Sequence, residues 1–170
     1  KDIGVIITES GITRDSIVVE GGSGTGALTT YLAKIAKKVY SYDIRSENQE
    51  IAKYNVERLN LDNVEFKLQS MYEKINEKDV DVVIMDLPEP WQALENAKNA
   101  VKVGGIIVAY CPTIPQVSNF VEAVKKDDQL HHIKAIELIE RTWKVKGLAV
   151  RPVSDSIGHT AFLIFARRVN

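Results

Sequence analysis

Seven consecutive residues concentrate the chemistry of this chain: Glu20-Gly21-Gly22-Ser23-Gly24-Thr25-Gly26. They follow the apolar run Ile17-Val18-Val19 and open an amphipathic segment from Ala27 to Lys37, the order of a strand, a glycine-rich turn and a helix. Glycines at such a turn let the backbone bend sharply and come within contact distance of a ligand. Asp43 ends the next apolar run, Val39-Tyr40-Ser41-Tyr42, where a carboxylate can accept hydrogen bonds from two ribose hydroxyls. The spacing therefore predicts a site for a nucleoside-containing cofactor. Two cofactors compete. Gly22, Gly24 and Ala27 can be read as the dinucleotide pattern G-x-G-x-x-G/A, which points to NAD. Glu20, Gly22, Gly24 and Gly26 fit, without adjustment, the acidic-x-G-x-G-x-G pattern of S-adenosylmethionine sites. The carboxylate of Glu20 discriminates between them: it is repelled by a pyrophosphate and attracted by a sulfonium and an ammonium group.

Further candidates lie where later strands are expected to end. Asp86-Leu87-Pro88-Glu89-Pro90-Trp91 follows the apolar run Val80 to Met85. Asp86, stiffened by Pro-x-Pro, is the expected catalytic carboxylate. It can accept from an exocyclic amino group or favour positive charge developing on an adjacent ring; the plainer reading is a turn cap. Trp91 and Tyr110 offer stacking faces for a substrate base, or serve only as core aromatics. Ser70 and Met71 follow the third strand. His159 precedes the last strand and is expected near the same crevice as a substrate contact, its alternative being a structural hydrogen bond. His131-His132 mark a strand start and have no companion ligands at zinc spacing, so no metal site is expected. Neither a nucleophile elbow nor a P-loop lysine is found.

The elements that must position these residues alternate regularly. Strands are expected at 17–20, 39–43, 64–68, 80–85 and 106–110, and helices at 26–37, 46–59 (Ser46 as N-cap), 91–101 and 115–126. An amphipathic segment, Ile3 to Ser10, comes first. Residues 133–145 alternate as one strand, and 160–166 form the last. The fold class is therefore α/β, a parallel sheet with an antiparallel edge strand, and ligands of such sheets lie across the strands' carboxyl ends. The irregular stretch 146–158 is long for a compact domain, as functional loops often are.

Composition bounds the function. The 170 residues suit one domain, and the net charge of −1 supplies no easy argument for nucleic-acid binding. No apolar run approaches the roughly 18 residues of a membrane span, and no signal peptide is visible, so a cytoplasmic protein with no membrane partner is expected. The single cysteine, Cys111, excludes an internal disulfide and reads as a small buried hydrophobe. The chain starts with Lys1 and is expected to be a processed form, an excised domain or the ordered remnant of a longer protein.

Three segments in this order carry a resemblance: the loop Glu20 to Gly26 continued by Ala27-Leu28-Thr29, the Asp86 to Trp91 segment, and Gly158-His159-Thr160-Ala161-Phe162-Leu163. Together they are similar to the tRNA (adenine-58-N1) methyltransferases of archaeal or bacterial type, and Arg151-Pro152 strengthens the archaeal likeness. The resemblance runs from Lys1 to about Arg168. It implies a class I, Rossmann-like S-adenosylmethionine-dependent fold, tRNA as substrate and a homotetramer. It also implies that Gly22, Ser23, Gly24, Thr25, Gly26 and Ala27 hold the methionine part, that Asp43 holds the ribose, that Ser70 and Met71 border the adenine, and that Asp86 serves the target base. The family often has an acidic residue where this chain has Ser70, and a small N-terminal β domain that is expected to be absent here. Rival readings are an exocyclic-amino nucleic-acid methyltransferase, whose Asp-Pro-Pro-aromatic motif Leu87 breaks, a protein isoaspartate methyltransferase, a NAD-dependent oxidoreductase and a non-catalytic cofactor-binding subunit.

Overall fold

The computed structural model describes residues 1–155 and 157–170. Helix α1 (Asp2–Glu9) precedes β1 (Ile17–Gly21), α2 (Ala27–Ala33), β2 (Lys38–Asp43), α3 (Ser46–Arg58), β3 (Val64–Leu68) and β4 (Val80–Met85). A 3-10 turn (Pro90–Ala93) then leads into α4 (Leu94–Ala100), β5 (Val101–Cys111) and α5 (Ile114–Lys125). The chain ends with β6 (Leu130–Glu137), β7 (Trp143–Lys146), β8 (Ala149–Pro152) and β9 (Phe162–Arg168).

Seven strands form one sheet in the order β3-β2-β1-β4-β5-β9-β6. The first five are parallel, and β9 runs antiparallel to both β5 and β6. The α/β class is as expected, but the antiparallel strand lies one place in from the edge. The crossover through α5 sets β6 down one position away from β5, and β9 fills the gap from the opposite direction.

Alternation along the central strands divides the core. Val18, Val82, Ile84 and Val108 face α1 and α2, where Ile6 and Leu32 are buried, and Val19, Val83, Met85 and Ile107 face α4 and α5 with Ala97, Phe120 and Val124. A parallel sheet covered on both faces needs such continuous apolar strands. Helix α5 starts at a capping box: Thr113 and Gln116 bond reciprocally, and Pro115 sits in the first turn.

Two sequence expectations shift. The N-cap of α3 is Arg45, not Ser46, because the Asp43 carboxylate already accepts from the Arg45 backbone N–H at 2.9 Å. The alternating run 133–145 is not one strand. β6 leaves the sheet at Glu137, and β7 pairs only with β8 in a separate exposed hairpin.

Candidate active site

Parallel pairing brings the carboxyl ends of β1, β2 and β4 into line, with Gly21 beside Tyr42 and Met85. The glycine turn folds back over β2: the N–H groups of Gly22 and Ser23 donate to the Tyr42 carbonyl at 2.9 and 3.2 Å. The Asp86 N–H donates to the Gly21 carbonyl at 2.9 Å, so the loop and the end of β4 are tied together. Gly22 has φ +89°, and a Cβ there would fall 2.3 Å from the Asp86 carbonyl oxygen; no other residue fits. Gly24 has φ +50°, and a Cβ there would meet nothing within 4 Å among the described residues. Its face is open to the crevice.

Glu20 is buried beneath this turn, and its Oε2 accepts from Thr29 Oγ1 at 2.6 Å and Ser41 Oγ at 2.8 Å. Its Oε1 is buried with no partner among the described residues. Burial pushes the Glu20 carboxyl up to about 7, against the two hydroxyls that lower it, while the charges of Asp86 and Asp43 add to the rise. A buried acceptor without a donor is costly, and a cationic ligand group would relieve it. Glu20 lines a cleft of about 370 Å³ with Asp2, Ser23, Ala27, Asp86 and Tyr110.

A second cleft, of about 290 Å³, lies on the β2 side and is bordered by Asp43, Ile44, Asn48, Ser70, Met71 and Leu87. Gly22, Gly24 and Asp86 line both clefts, so an elongated ligand can cross the glycine turn from one to the other. Asp43 Oδ2 accepts from the Gly24 N–H at 3.1 Å and from Asn48 Nδ2 at 3.4 Å. This carboxylate both shapes the turn and faces the second cleft. We predict that Asp43→Ala weakens nucleoside-cofactor binding by about 1.5–3 kcal/mol, the scale of hydrogen bonds to a charged group. Calorimetric titration measures it, and an unchanged Kd would remove Asp43 from the site.

Asp86 stands at the shared border. Its side chain opens to the crevice and has no hydrogen-bond partner among the described residues, yet protein surrounds it closely enough that desolvation raises its pKa. Cys111 lies nearby but is buried, which pushes its thiol up to about 12 with a further push from the Asp86 charge. It is therefore no nucleophile at neutral pH. Among the described residues, no group of three or more His, Cys, Asp or Glu could hold a metal ion.

The sequence profile of the family described as "tRNA methyltransferase complex GCD14 subunit" matches residues 1–150. The chain belongs to that family. It is 40% identical to the tRNA (adenine(57)-N(1)/adenine(58)-N(1))-methyltransferase TrmI of Methanocaldococcus jannaschii, over 98% of this chain and 70% of that protein. It is 35% identical to the tRNA (adenine(58)-N(1))-methyltransferase TrmI of Thermus thermophilus, over 99% of this chain and 68% of that one. Among solved structures, the tRNA (m1A58) methyltransferase TrmI of Aquifex aeolicus superposes with a TM-score of 0.90 at 25% identity, covering 99% of this chain and 68% of the other. A SAM-dependent O-methyltransferase of Thermotoga maritima superposes at 0.92 with 28% identity, covering 99% and 65%.

The crevice of this family member suits S-adenosylmethionine on its own chemistry. An acceptor oxygen of Glu20 with no donor among the described residues, the Asp43 carboxylate, the open face of Gly24 and the apolar side chains of Met71 and Leu87 lie along it. Ser70 offers no charge; its Oγ accepts from the Tyr72 N–H at 3.2 Å. Thr25 and Ala27 continue the turn on the first cleft's side, and Gly26 caps α2 behind it. Of the three substrate contacts expected from sequence, Tyr110 borders the crevice with Asp86. Trp91 does not: the 3-10 turn begun by Pro90 carries it away, and it borders a surface hollow with Lys98, Ala123 and Asp127. His159 lines neither cleft and instead bonds to Glu137 and Pro112. Ile44 and Asn48 also line the second cleft and Asp2 the first; Ile44 follows Asp43 directly in sequence, whereas Asp2 reaches its cleft only through the tertiary placement of α1.

Proposed function

We propose that this chain is an S-adenosylmethionine-dependent methyltransferase acting on the ring nitrogen 1 of an adenosine in the T-loop of tRNA. The observation that carries this reading is Asp86: a carboxylate without a partner among the described residues, at the border of two clefts, beside Tyr110, at the carboxyl edge of the sheet. Bound S-adenosylmethionine supplies an electrophilic methyl group. The residues of the chain supply alignment. Glu20 and the glycine turn fix one end of the donor, Asp43 the ribose, and the Met71–Leu87 walls the adenine. The acceptor nitrogen has a free lone pair and needs no general base before attack; it needs an in-line approach at near-attack distance. The ring becomes cationic on methylation, and Asp86 stabilises that charge as it forms. A T-loop adenosine must be unstacked to reach the crevice, and Tyr110 offers it a face.

The same reading makes the chain a single catalytic domain of a cytoplasmic homotetramer. The exposed β7–β8 hairpin, which presents Val145, Leu148 and Val150 to solvent, supports contact with another copy. Among the described residues, no helix is long and apolar enough to cross a membrane.

The deciding experiment incubates tRNA with the protein and S-adenosylmethionine and identifies the modified nucleosides by mass spectrometry. N1-methyladenosine is expected; an exocyclic N-methyl nucleoside instead would overturn the reading. In a parallel calorimetric titration the methyl donor binds and NAD does not. Glu20 must be ionised to attract the donor's positive charge, so affinity rises from about pH 6 to about pH 8 as the raised carboxyl loses its proton.

A further inference from the structure

His159 sits outside both clefts, yet it joins the end of β6, the turn after β5 and the start of β9. Its Nδ1 lies 2.6 Å from Glu137 Oε1, at the end of β6, and its Nε2 lies 2.8 Å from the Pro112 carbonyl oxygen, just past β5. A carbonyl and a carboxylate can only accept. Both contacts are satisfied together only when both ring nitrogens donate, which is the imidazolium form. Its ring also rests against Phe162 of β9, with centroids 4.9 Å apart.

Two routes lead from this ring to the reacting end of the crevice. In one, the adjacent residue Thr160 accepts from Lys1 Nζ at 2.6 Å and donates to Asp2 Oδ2 at 2.7 Å. Lys1 and Asp2 form the wall of the first cleft with Tyr110 and Asp86. In the other, Pro112 precedes Thr113, whose N–H and hydroxyl both donate to Gln116 Oε1, at 2.9 and 2.7 Å. Gln116 Nε2 then donates to the Pro88 carbonyl at 2.8 Å, within the turn that carries Asp86. The ring is thus linked at one remove to the α1 wall, through Thr160, and to the Asp86 turn, through Thr113 and Gln116.

We propose that His159, as an imidazolium held by Glu137 and the Pro112 carbonyl, is a positioning residue that sets the mouth of the crevice for the incoming substrate. Where it concerns catalysis, the inference rests on the methyl-transfer reading above. The groups facing the ring are the Glu137 carboxylate from β6, the Pro112 carbonyl from the β5–α5 turn, Phe162 from β9 and, further off, the Lys1 ammonium beside α1. The Glu137 bond and then the Pro112 carbonyl raise the His159 pKa, while the Lys1 charge opposes them. The sign follows. A raised pKa means that the folded state favours the charged ring, so the fastening is complete below the ordinary histidine value. It is lost as pH rises through the raised one.

The test uses the full chain with three measurements on the wild type, His159→Gln and Glu137→Gln, after thermal melts show that both variants fold. Hydrogen exchange should accelerate in His159→Gln at residues 86–91 and 112–117, with the donor Kd within about twofold. Single-turnover tRNA methylation by the wild type should fall at alkaline pH. His159→Gln should lose that limb and be about 10- to 100-fold slower at about pH 6.5, the scale of a small misplacement of reacting groups. Glu137→Gln should move the limb to lower pH, because glutamine still accepts from the ring but no longer favours its charge. A merely structural histidine would not move a pH limb in this way. Unchanged exchange in both segments, or methylation by His159→Gln within twofold of wild type across the pH range, overturns the inference. If the wild type methylates no tRNA, the functional reading fails, and the exchange measurement alone still decides the role of His159.

Discussion

Gly24→Val is expected to abolish binding of S-adenosylmethionine, with a loss of affinity on the order of 100-fold or more, about 3 kcal/mol. The backbone at Gly24 has φ +50°, and its missing side chain faces open space within 4 Å. That space borders both clefts, so a ligand spanning them must pass directly over it. A valine would fill it with two methyl groups. A β-branched residue is also poorly suited to a left-handed backbone, and the strain would loosen the Gly24 N–H from Asp43. Gly24→Asn separates the two causes, because asparagine tolerates a left-handed conformation but still projects into the ligand's path. Calorimetry on both variants is the check. If the asparagine variant binds as wild type while valine does not, strain is the cause. If valine also binds normally, the ligand does not cross this turn.

The same glycine shows how far the sequence can be read. Strand, turn and helix start around 17–33 are legible because continuous apolar residues, clustered glycines and helical periodicity are all local signals, although α2 ends at Ala33 and not at Lys37. Which carboxylate faces the turn was legible for the same reason: Glu20 and Asp43 each end an apolar run. Long-range pairing was not. Alternation from 133 to 145 gives two faces, and faces alone do not name a partner. The chain exploits this by leaving the sheet after Glu137 and forming β7 against β8. Trp91 lies away from the crevice because five residues of turn geometry, ending in a 3-10 turn at Pro90, decide which side of the sheet its indole meets. The position of His159 before the last strand predicts a place near the crevice. Its actual partners, Glu137 and Pro112, lie 22 and 47 residues away, and nothing local marks them as acceptors.

Asp86→Ala should leave donor affinity within a few-fold yet slow methyl transfer by about 10²–10³, the loss found when one preorganised electrostatic group is removed from a site. Three observations set this expectation. The carboxylate ends β4, its backbone fixed to Gly21 and its turn fixed to α5 through Pro88 and Gln116. It therefore does not need to reorganise as charge develops. It has no hydrogen-bond partner among the described residues and borders both clefts, so its charge is free to act on the substrate. Positive charge appears on the adenine ring only as the methyl group arrives, and an interaction gained mainly in the transition state changes the rate rather than ground-state binding. Asp86→Asn keeps the shape and an acceptor oxygen but loses the charge, and should fall between alanine and wild type. Single-turnover rates at saturating tRNA measure both variants. Desolvation also raises the Asp86 pKa, so its charge is lost as pH falls through that raised value. Wild-type transfer should therefore slow at acid pH by a step that Asp86→Asn lacks. If alanine and asparagine variants both react at the wild-type rate, Asp86 only shapes the turn, and the charge on the methylated ring is met by solvent.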